Sequence, residues 1–318
     1  MDYTLYRATI ELHSPLGTPL VGDTLFGQLC WALREQRGEK VLSRYLSSYT
    51  QGAPWLVVSD GFPSGYFPKP TLPTSHLHIN PEQRKRLKKM RWIALQDVEQ
   101  LHLATGYSDA EAYAAIPQEH LQAHNTINRY TNTTGKGEFA PYSTNNLRYS
   151  PNQSLDIWLV INNHLVEVDE VRQLLIQVGQ LGFGRDASTG LGKFSLVHFA
   201  ASTLTTSAQG NAWLTLAPCA PQGLDLCSAK SYWRTQTRFG RHGNIHALTG
   251  RPFKAPMLMA ATGAVFSPKN GQLDQRLWLG QGLTGISKAL SQTVHQGYAP
   301  VIPFYLASGM WKHESTNR

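Results

Sequence analysis

The sequence predicts an α+β protein whose first part mixes strands and helices and whose second part consists mostly of strands. Strand-like stretches at 3–12, 155–161 and 193–199 lie in the first part, and an amphipathic helical stretch follows each of the first two. Beyond about residue 200 the apolar runs are short and separated by Gly and Pro, without another long amphipathic stretch. This order predicts a ferredoxin-like first half with an insertion, followed by a β-rich, degenerate ferredoxin-like second half.

Apolar spacing predicts the first elements. Residues 3–12, YTLYRATIEL, alternate apolar and polar side chains as a half-buried strand does. The stretch TLFGQLCWALREQ has apolar residues at helical spacing, namely Phe26, Leu29, Cys30 and Leu33. Asp23 or Thr24 is expected to cap the start of this helix. Residues 40–49 predict a second helix, with its apolar side chains on one side.

A short strand and a proline-rich segment come next. Residues 55–59, WLVVS, predict an apolar strand, and SDGFPSGYFPKPTLP follows. The prolines of this segment exclude a regular helix and a central strand. A rigid loop with aromatic side chains either wraps the surface or faces a ligand.

An insertion is expected at about residues 71–150. Six basic side chains lie between Arg84 and Arg91, and the segment through about residue 103 is predicted to be helical. Such a basic run has three alternative explanations: it binds RNA, it contacts an acidic surface of a partner protein, or it forms the solvent-exposed face of a helix. The last two are favoured because like charges repel unless they are matched. Residues 123–137, AHNTINRYTNTTGKG, predict a projecting loop or hairpin tip.

After the insertion the alternation of strand and helix returns. LDIWLVI at 155–161 predicts a buried strand, residues 169–181 an amphipathic helix, and KFSLVHF at 193–199 a further strand. We therefore expect a first domain at 1–204 and a β-rich second domain at 205–318.

Composition limits the class of protein. The chain has 318 residues, of which 41% are hydrophobic and 16% charged, so it is not disordered by composition. A net charge of +8 favours contact with phosphates, although a basic protein without a polyanionic partner is an equal alternative on charge alone. Three cysteines without a C-x-x-C pair favour a reducing compartment, and neither a signal peptide nor a membrane span is visible. We expect a cytoplasmic protein without membrane contact.

The segment GFGRDASTGLGKF at 182–194, called here the glycine-rich loop, is the strongest candidate site. Glycine permits positive φ and leaves room for a phosphate or sugar beside the main chain. The donors around that space are Arg185, Ser188, Thr189 and Lys193. From the residues alone, a helix-to-strand turn without a ligand remains an alternative.

Two nucleotide motifs are excluded. GFGRDA matches the letters of a dinucleotide fingerprint, which requires a strand before it and a helix after it, whereas here the order is reversed. A phosphate loop ending in Gly192-Lys193 would require a glycine at Ala187 and a Ser or Thr at Phe194. No cofactor is expected.

The order helix, glycine-rich loop, strand resembles the RAMP superfamily of CRISPR-associated RNA-binding proteins. Four further segments narrow the resemblance to the Cas-five-like subunits of type III-A (Csm) effector complexes, the family of the fourth Csm protein. They are LHSPLGTPLVGDTLFGQLCWAL at 12–33, VSDGFPSGYFPKP at 58–70, RLKKMRWI at 86–93 and HNTINRYTNTT at 124–134. The similarity spans most of the first 200 residues and, more loosely, the second half.

The resemblance implies a function. Such subunits cap the crRNA by gripping its repeat-derived 5′ handle, dock against the large polymerase-like subunit and abut the first backbone RAMP subunit. They are not usually nucleases. The resemblance therefore implies an RNA-binding subunit without catalytic residues, metal, cofactor or small-molecule substrate.

Site residues carry over position by position. The glycine-rich loop would line the backbone of the handle through Gly182, Gly184, Arg185, Ser188, Thr189, Gly190, Gly192 and Lys193. The projecting tip would contact or displace a nucleotide through His124, Asn125, Asn128, Arg129 and Tyr130. The matched positions near the RNA or the large subunit would be Gly22, Asp23, Thr24, Ser59 and Phe62.

Two rival sites remain open. RAMP proteins also include metal-independent endoribonucleases that process CRISPR transcripts, and these need a general base and a cation. His13, or His124 with Arg129, supplies those groups. Cys219, Cys227, His242 and His246 form a conceivable zinc set, but the gap between the cysteines is wider than in the usual finger pair.

Overall fold

The computed structural model describes residues 2–73, 90–94, 117–202, 210–243 and 252–306. Three helices lie in the first part: α1 (Gly22–Arg37), α2 (Glu39–Tyr49) and α3 (Val168–Leu181). The strands of that part are β1 (Tyr3–Leu12), β2 (Leu56–Pro63), β3 (Tyr66–Pro68), β4 (Trp92–Ala94), β5 (Gln118–His124), β6 (Tyr142–Arg148), β7 (Ser154–Asn162) and β8 (Phe194–Ala201). Those of the second part are β9 (Ala212–Thr215), β10 (Thr235–Arg238), β11 (Met257–Ala260), β12 (Val265–Phe266), β13 (Trp278–Leu283) and β14 (His295–Phe304).

The first half is built on a four-stranded antiparallel sheet in the order β2-β7-β1-β8. Helix α1 lies between β1 and β2 in the chain, and α3 lies between β7 and β8. The first and third strands of the β-α-β-β-α-β series are therefore central, as in ferredoxin-like folds. The prediction of an α+β first half is confirmed, and this strand order is consistent with the predicted ferredoxin-like unit.

Strand β7 is buried along almost its whole length because both faces of the sheet are covered. Helices α1 and α3 pack on one face. On the other face the rings of Trp158 and Phe67 lie 5.3 Å apart, and Tyr3 contacts Trp278 at 4.2 Å between ring centroids. A strand covered on both faces needs no polar alternation, which explains the continuous apolar run in the sequence.

The second half contains a four-stranded sheet in the order β12-β9-β14-β13 and a two-stranded ribbon of β10 and β11. Across the described residues of this half, the helical structure is limited to a short 3₁₀ turn at Ser228–Lys230. The prediction of a β-rich second half is confirmed. Its origin as a degenerate ferredoxin-like unit stays a prediction.

The two halves share one hydrophobic core. The largest cluster of buried side chains includes Phe26 and Trp55 from the first half and Leu214, Tyr298 and Ile302 from the second. The predicted boundary between residues 204 and 205 falls within 203–209, outside the described part of the chain, and the division into two domains stays a prediction.

Three local expectations need correction. Val21 occupies the N-cap position of α1, and Asp23 lies in the first helical turn. Strand β2 continues past residue 59 to Pro63, which fits the rule for proline because β2 is an edge strand. Residues 92–94 form a strand with 66–68 rather than a helix, and the rest of the predicted basic helix, from Arg84 onward, lies outside the described residues except for 90 and 91.

None of the helices in the described parts of the chain combines the length and hydropathy needed to cross a bilayer.

Candidate nucleic-acid interface

The glycine-rich loop is closed at its neck by the protein's own backbone. Gly182 ends α3 with φ of +100°, and its N–H donates to the carbonyl of Val178 at 2.8 Å. The N–H of Phe183 donates to the carbonyl of Gly192 at 2.8 Å, and the Phe183 ring is fully buried. The neck therefore anchors the loop to the core and leaves residues 184–191 to project.

Five consecutive N–H groups of the loop, from residues 189–193, donate within the protein. The first three bond to carbonyls of the loop itself, at residues 186 and 187, with lengths of 3.0–3.2 Å. The N–H of Gly192 donates to the carbonyl of Pro15 at 2.9 Å, and that of Lys193 to the hydroxyl of Ser14 at 2.9 Å. A phosphate at this end of the loop would therefore meet side chains, chiefly those of Ser188 and Lys193, which are exposed.

Most glycines of the loop make room for the protein itself. A Cβ on Gly184 would lie 2.0 Å from Oγ1 of Thr18, and one on Gly192 would lie 2.1 Å from the carbonyl oxygen of Phe183. A Cβ on Gly182 would lie 2.4 Å from the carbonyl oxygen of Leu191. Gly190, with φ of +98°, has no atom within 4 Å of its Cβ position, so it leaves open space for a ligand.

A second segment, residues 13–18, lies between the glycine-rich loop and the inserted hairpin. The N–H of His13 donates to the carbonyl of Lys193 at 2.8 Å on one side. On the other side Leu16 and Leu147 exchange two backbone hydrogen bonds of 2.8 and 2.9 Å. The segment thereby joins the loop to strand β6.

The insertion forms a projecting hairpin, defined here as residues 118–148. Strands β5 and β6 pair in register from Gln118 with Arg148 to His124 with Tyr142. The imidazole of His124 stacks on the Tyr142 ring at 4.9 Å, and its Nε2 lies 2.9 Å from Oγ1 of Thr144. The prediction of a hairpin at 123–137 is thus matched by the structure, with the tip between the two strands.

The tip exposes the side chains that the sequence singled out. Asn128 organises a tight turn, since its side-chain oxygen accepts from the N–H of Tyr130 at 2.9 Å and its own N–H donates to the carbonyl of Thr133 at 3.1 Å. The Tyr130 side chain is 100% exposed, and Asn125 and Arg129 are exposed as well. An aromatic ring and a guanidinium on a projecting turn suit stacking with unpaired bases.

Arg185 connects the loop to the hairpin. Its Nη2 donates to the carbonyl of Asn145 at 2.7 Å and to Oδ1 of Asn146 at 2.9 Å, while its Nε donates to Asp186 at 3.0 Å. Asn146 is fully buried and donates from Nδ2 to Oε1 of Gln122 at 2.8 Å. The sequence contains no signal for Asn145 and Asn146 as site residues other than their position in a polar strand.

Four predicted site residues outside the glycine-rich loop are buried. Gly22, Asp23, Ser59 and Phe62 lie in the interior, with exposed fractions of 4%, 0% and 1% for Asp23, Ser59 and Phe62. Ser59 accepts from the N–H of Trp158 at 2.7 Å, and a Cβ on Gly22 would lie 2.2 Å from the carbonyl oxygen of Val58. Burial argues against contact between these side chains and RNA, and their geometry supports a role in shaping the chain around them.

Asp23 belongs to a buried charged cluster that the sequence does not reveal. Arg238 donates to its carboxylate from Nε and Nη2, at 2.7 and 2.6 Å, and Nε2 of His295 lies 3.2 Å from Oδ2. Burial alone would raise the pKa of Asp23, but the bonds from His295 and Arg238 outweigh it and hold the pKa well below its usual value. Thr24 is half-buried and donates to Asp23 at 3.0 Å.

The two histidines of the nuclease alternative do not share a site. His13 contacts the hydroxyl of Ser195 at the start of β8, near the base of the hairpin. His124 lies at the tip end of β5, opposite Tyr142. Tyr142 is five residues of extended strand, about 17 Å, from Leu147, the β6 residue that pairs with Leu16. The two histidines therefore lie toward opposite ends of the hairpin.

The conceivable zinc ligands have other surroundings. Cys219 is a buried thiol whose pKa burial raises to about 12. Nε2 of His242 lies 2.8 Å from the hydroxyl of Ser287, and His246 is outside the described residues. Throughout the described ranges, no group of three or more His, Cys, Asp or Glu side chains is arranged to hold a metal.

Fold and site together define a two-part α+β protein with a projecting hairpin and a glycine-rich helix-to-strand loop. A family model described as the RAMP superfamily matches residues 9–195, more than half of the chain. The chain belongs to the RAMP superfamily.

Solved structures share this fold over nearly the whole chain. One chain of a Csm1-Csm4 cassette crystallised with pppApA aligns with a TM-score of 0.58 and 16% identity, covering 96% of this chain and 98% of its own. A chain of a Csm3-Csm4 subcomplex of a type III-A CRISPR-Cas interference complex aligns with a TM-score of 0.61 and 12% identity, covering 95% and 99%. No curated protein matches the chain.

Proposed function

We propose that this chain is an RNA-binding subunit of a type III CRISPR effector complex that grips the 5′ handle of the crRNA and catalyses no reaction. Membership of the RAMP superfamily and the shared fold with chains of two complexes, both containing Csm4, support the proposal. The cytoplasm is the compartment that fits a CRISPR effector and three free thiols.

The observation that carries the proposal is the placement of the glycine-rich loop beside the base of the projecting hairpin. The loop offers the exposed side chains of Ser188 and Lys193 and the open space at Gly190. The tip offers Arg129 and Tyr130. Phosphates bind to hydroxyl and ammonium donors, and splayed bases stack on aromatic and guanidinium faces, so one single strand can use both surfaces.

Partner proteins follow from the same comparisons. The similar chains come from assemblies of Csm1 with Csm4 and of Csm3 with Csm4. By analogy, this chain would dock against a large polymerase-like subunit and a backbone RAMP subunit while it caps the crRNA. Neither partner contact requires a cofactor or a small-molecule substrate.

The first experiment measures the affinity of the assembled complex for crRNA that carries the handle, with and without Arg129→Ala. Loss of one guanidinium contact should weaken binding by about 5- to 30-fold, that is by roughly 1–2 kcal/mol. Arg172→Ala is the charge-matched control. Arg172 lies on α3, its side chain is half exposed, and its ion pair with Asp169 is long, at 4.0 Å. Unchanged affinity in Arg129→Ala, or an equal loss in both variants, would count against the proposed role of the tip.

The second experiment tests the nuclease alternative. We expect no cleavage when the purified chain is mixed in excess with repeat RNA under single-turnover conditions. Cleavage that disappears in His13→Ala or in His124→Ala would overturn the non-catalytic assignment. His13 lies beside the loop, since its N–H donates to the carbonyl of Lys193.

A further inference from the structure

We propose that Arg185 is a positioning residue, which holds the projecting hairpin in a fixed orientation on the glycine-rich loop and does not itself bind phosphate. The proposal rests on the proposed function, since it states how that function's two RNA-facing surfaces are held together. It also gives Arg185 a different role from the backbone contact that the resemblance implies.

The guanidinium of Arg185 already has partners within the protein. Nη2 is shared between the carbonyl of Asn145 and the side-chain oxygen of Asn146, and Nε is bonded to Asp186. Hydrogen bonds from a charged donor are roughly twice as strong as neutral ones. A phosphate on the Nε–Nη2 edge of the guanidinium would have to compete with these partners.

The hydrogen bonds of Arg185 continue through Asn146 to both strands of the hairpin. Asn146, which lies on β6, accepts a hydrogen bond from Arg185 and donates one to Gln122 on β5. One chain of hydrogen bonds therefore runs from the loop to both strands. Asn146 is fully buried within a hairpin that is otherwise largely exposed. Water therefore does not replace these bonds readily, and removing the charged donor leaves a buried acceptor unsatisfied.

The hairpin itself has little buried surface to hold it in place. Six of the seven residues of β5 are exposed, so the hairpin has little apolar surface with which to hold its own shape. Isolated two-stranded hairpins are marginally stable in water. The backbone pair of Leu16 with Leu147 fixes one point at the base, and Arg185 supplies a second point beside it. Together with the covalent continuation of β6 into β7, these two attachments restrict the orientation of the hairpin more than the backbone pair does alone.

Hydrogen exchange and salt dependence distinguish positioning from phosphate binding. In Arg185→Met and in Arg185→Lys, we expect amides of residues 118–148 in the full chain to exchange at least about 10-fold faster, because opening of the hairpin costs at least about 1.4 kcal/mol less. RNA affinity should fall, but the slope of log K against log salt should stay unchanged. Lys193→Gln is the control, expected to lower that slope by about 0.7 without changing exchange in the hairpin.

The opposite pattern would overturn the proposal. If Arg185→Met lowers the salt slope by about 0.7, while Arg185→Lys retains the slope and neither variant changes exchange, Arg185 binds phosphate. Asn146→Ala should likewise accelerate amide exchange in the hairpin. Combining it with Arg185→Met should add little to the effect of either single substitution. Full additivity would contradict the link. If Lys193→Gln and Arg129→Ala leave affinity unchanged, the proposed RNA site fails, whereas exchange in the free chain still decides the role of Arg185.

Discussion

The guanidinium of Arg238, in strand β10 of the second half, forms two hydrogen bonds of 2.6 and 2.7 Å with the buried carboxylate of Asp23 at the start of α1. The two residues are 215 positions apart in the chain, and the Asp23 side chain is completely inaccessible. The pair ties the β-rich half to the first helix of the ferredoxin-like half. It also places the charged guanidinium of Arg238 beside a buried carboxylate, so that removal of the guanidinium would destabilise the fold.

Replacement of Arg238 by Met should destabilise the fold strongly. The carboxylate of Asp23 would remain buried with His295 as its remaining basic neighbour, and removal of one partner from a buried pair costs roughly 3–5 kcal/mol. Urea denaturation followed by tryptophan fluorescence measures the change. Lys269→Met is the control, because the Lys269 and Asp225 side chains are 72% and 83% exposed and such pairs contribute less than about 1 kcal/mol. Similar losses in both variants would contradict the prediction.

Asp60 should make the free energy of unfolding depend on pH. Burial raises its pKa to about 7, although hydrogen bonds from Thr262 and the N–H of Gly22 oppose the shift. An unfolded Asp has a pKa near 3.9, so between about pH 4 and pH 7 the native state binds the proton that the unfolded state has released. Stability due to Asp60 therefore decreases as the pH rises through this window, by at most about 1.4 kcal/mol per pH unit.

Comparison of Asp60→Asn with the parent chain isolates this effect. The amide cannot titrate, so urea denaturation at several values between pH 4.5 and about 7 should give a flatter dependence than the parent. Asp23 acts in the opposite direction but only below about pH 4, because its pKa is lowered and its stabilisation is lost as the pH falls. Asp274→Asn, at an exposed carboxylate whose pKa is also lowered, should leave the slope in the measured window unchanged. A parent curve that is flat or rises with pH in step with Asp60→Asn would refute the assignment.

Gln296 should be essential to the contact between β14 and β2. Its Nε2 donates to the carbonyl of Val58 at 2.7 Å, and its Oε1 accepts from the N–H of Val58 at 2.9 Å. Gln296→Leu would leave two buried backbone groups without partners, at a cost of roughly 2–5 kcal/mol. The exposed Gln281 on the neighbouring strand provides the matched variant, Gln281→Leu, with an expected change below about 0.5 kcal/mol. Chemical denaturation of both variants decides the matter.

The glycines of the loop should differ in their tolerance of alanine. Gly184→Ala places a methyl group against Thr18 in a left-handed conformation and should cost roughly 2–4 kcal/mol. Gly190→Ala meets open space and should cost about 1 kcal/mol from its positive φ alone. Thermal or urea denaturation tests the order of the two, and Thr18→Ala should recover part of the loss in Gly184→Ala. Equal costs would show that the packing described for Gly184 is unimportant.

The sequence predicts the elements of the first half well because their signals are local. The apolar stripe of α1 is buried as its spacing indicates, through Phe26, Leu29, Cys30 and Leu33. The continuous apolar run of β7 likewise identifies a strand covered on both faces. Trp92–Ala94 shows the limit, since a basic helical pattern precedes it while its strand depends on pairing with Tyr66–Pro68.

The site is predictable in outline only. The polar tip and the glycine cluster can be located from composition, but their relation depends on side chains from separate elements. Arg185 turns toward Asn146, 39 positions earlier, and Asp23 turns toward Arg238 instead of capping its helix. The spacing of residues along the chain contains no information about such distant partners. The sequence also does not distinguish a buried aspartate from an exposed one.

The shared core also constrains how the protein is made. Tyr298 in β14 donates to the carbonyl of Tyr49 at 2.7 Å and packs edge-on against its ring, although nearly 250 residues separate them. A ribosome must therefore synthesise nearly 250 residues beyond Tyr49 before Tyr298 can cover the apolar surface around Tyr49 and Trp55. Contacts of such high sequence separation form slowly. The nascent protein consequently depends on protection from aggregation during translation, and shortened products that lack β14 should be degraded or insoluble rather than partly active.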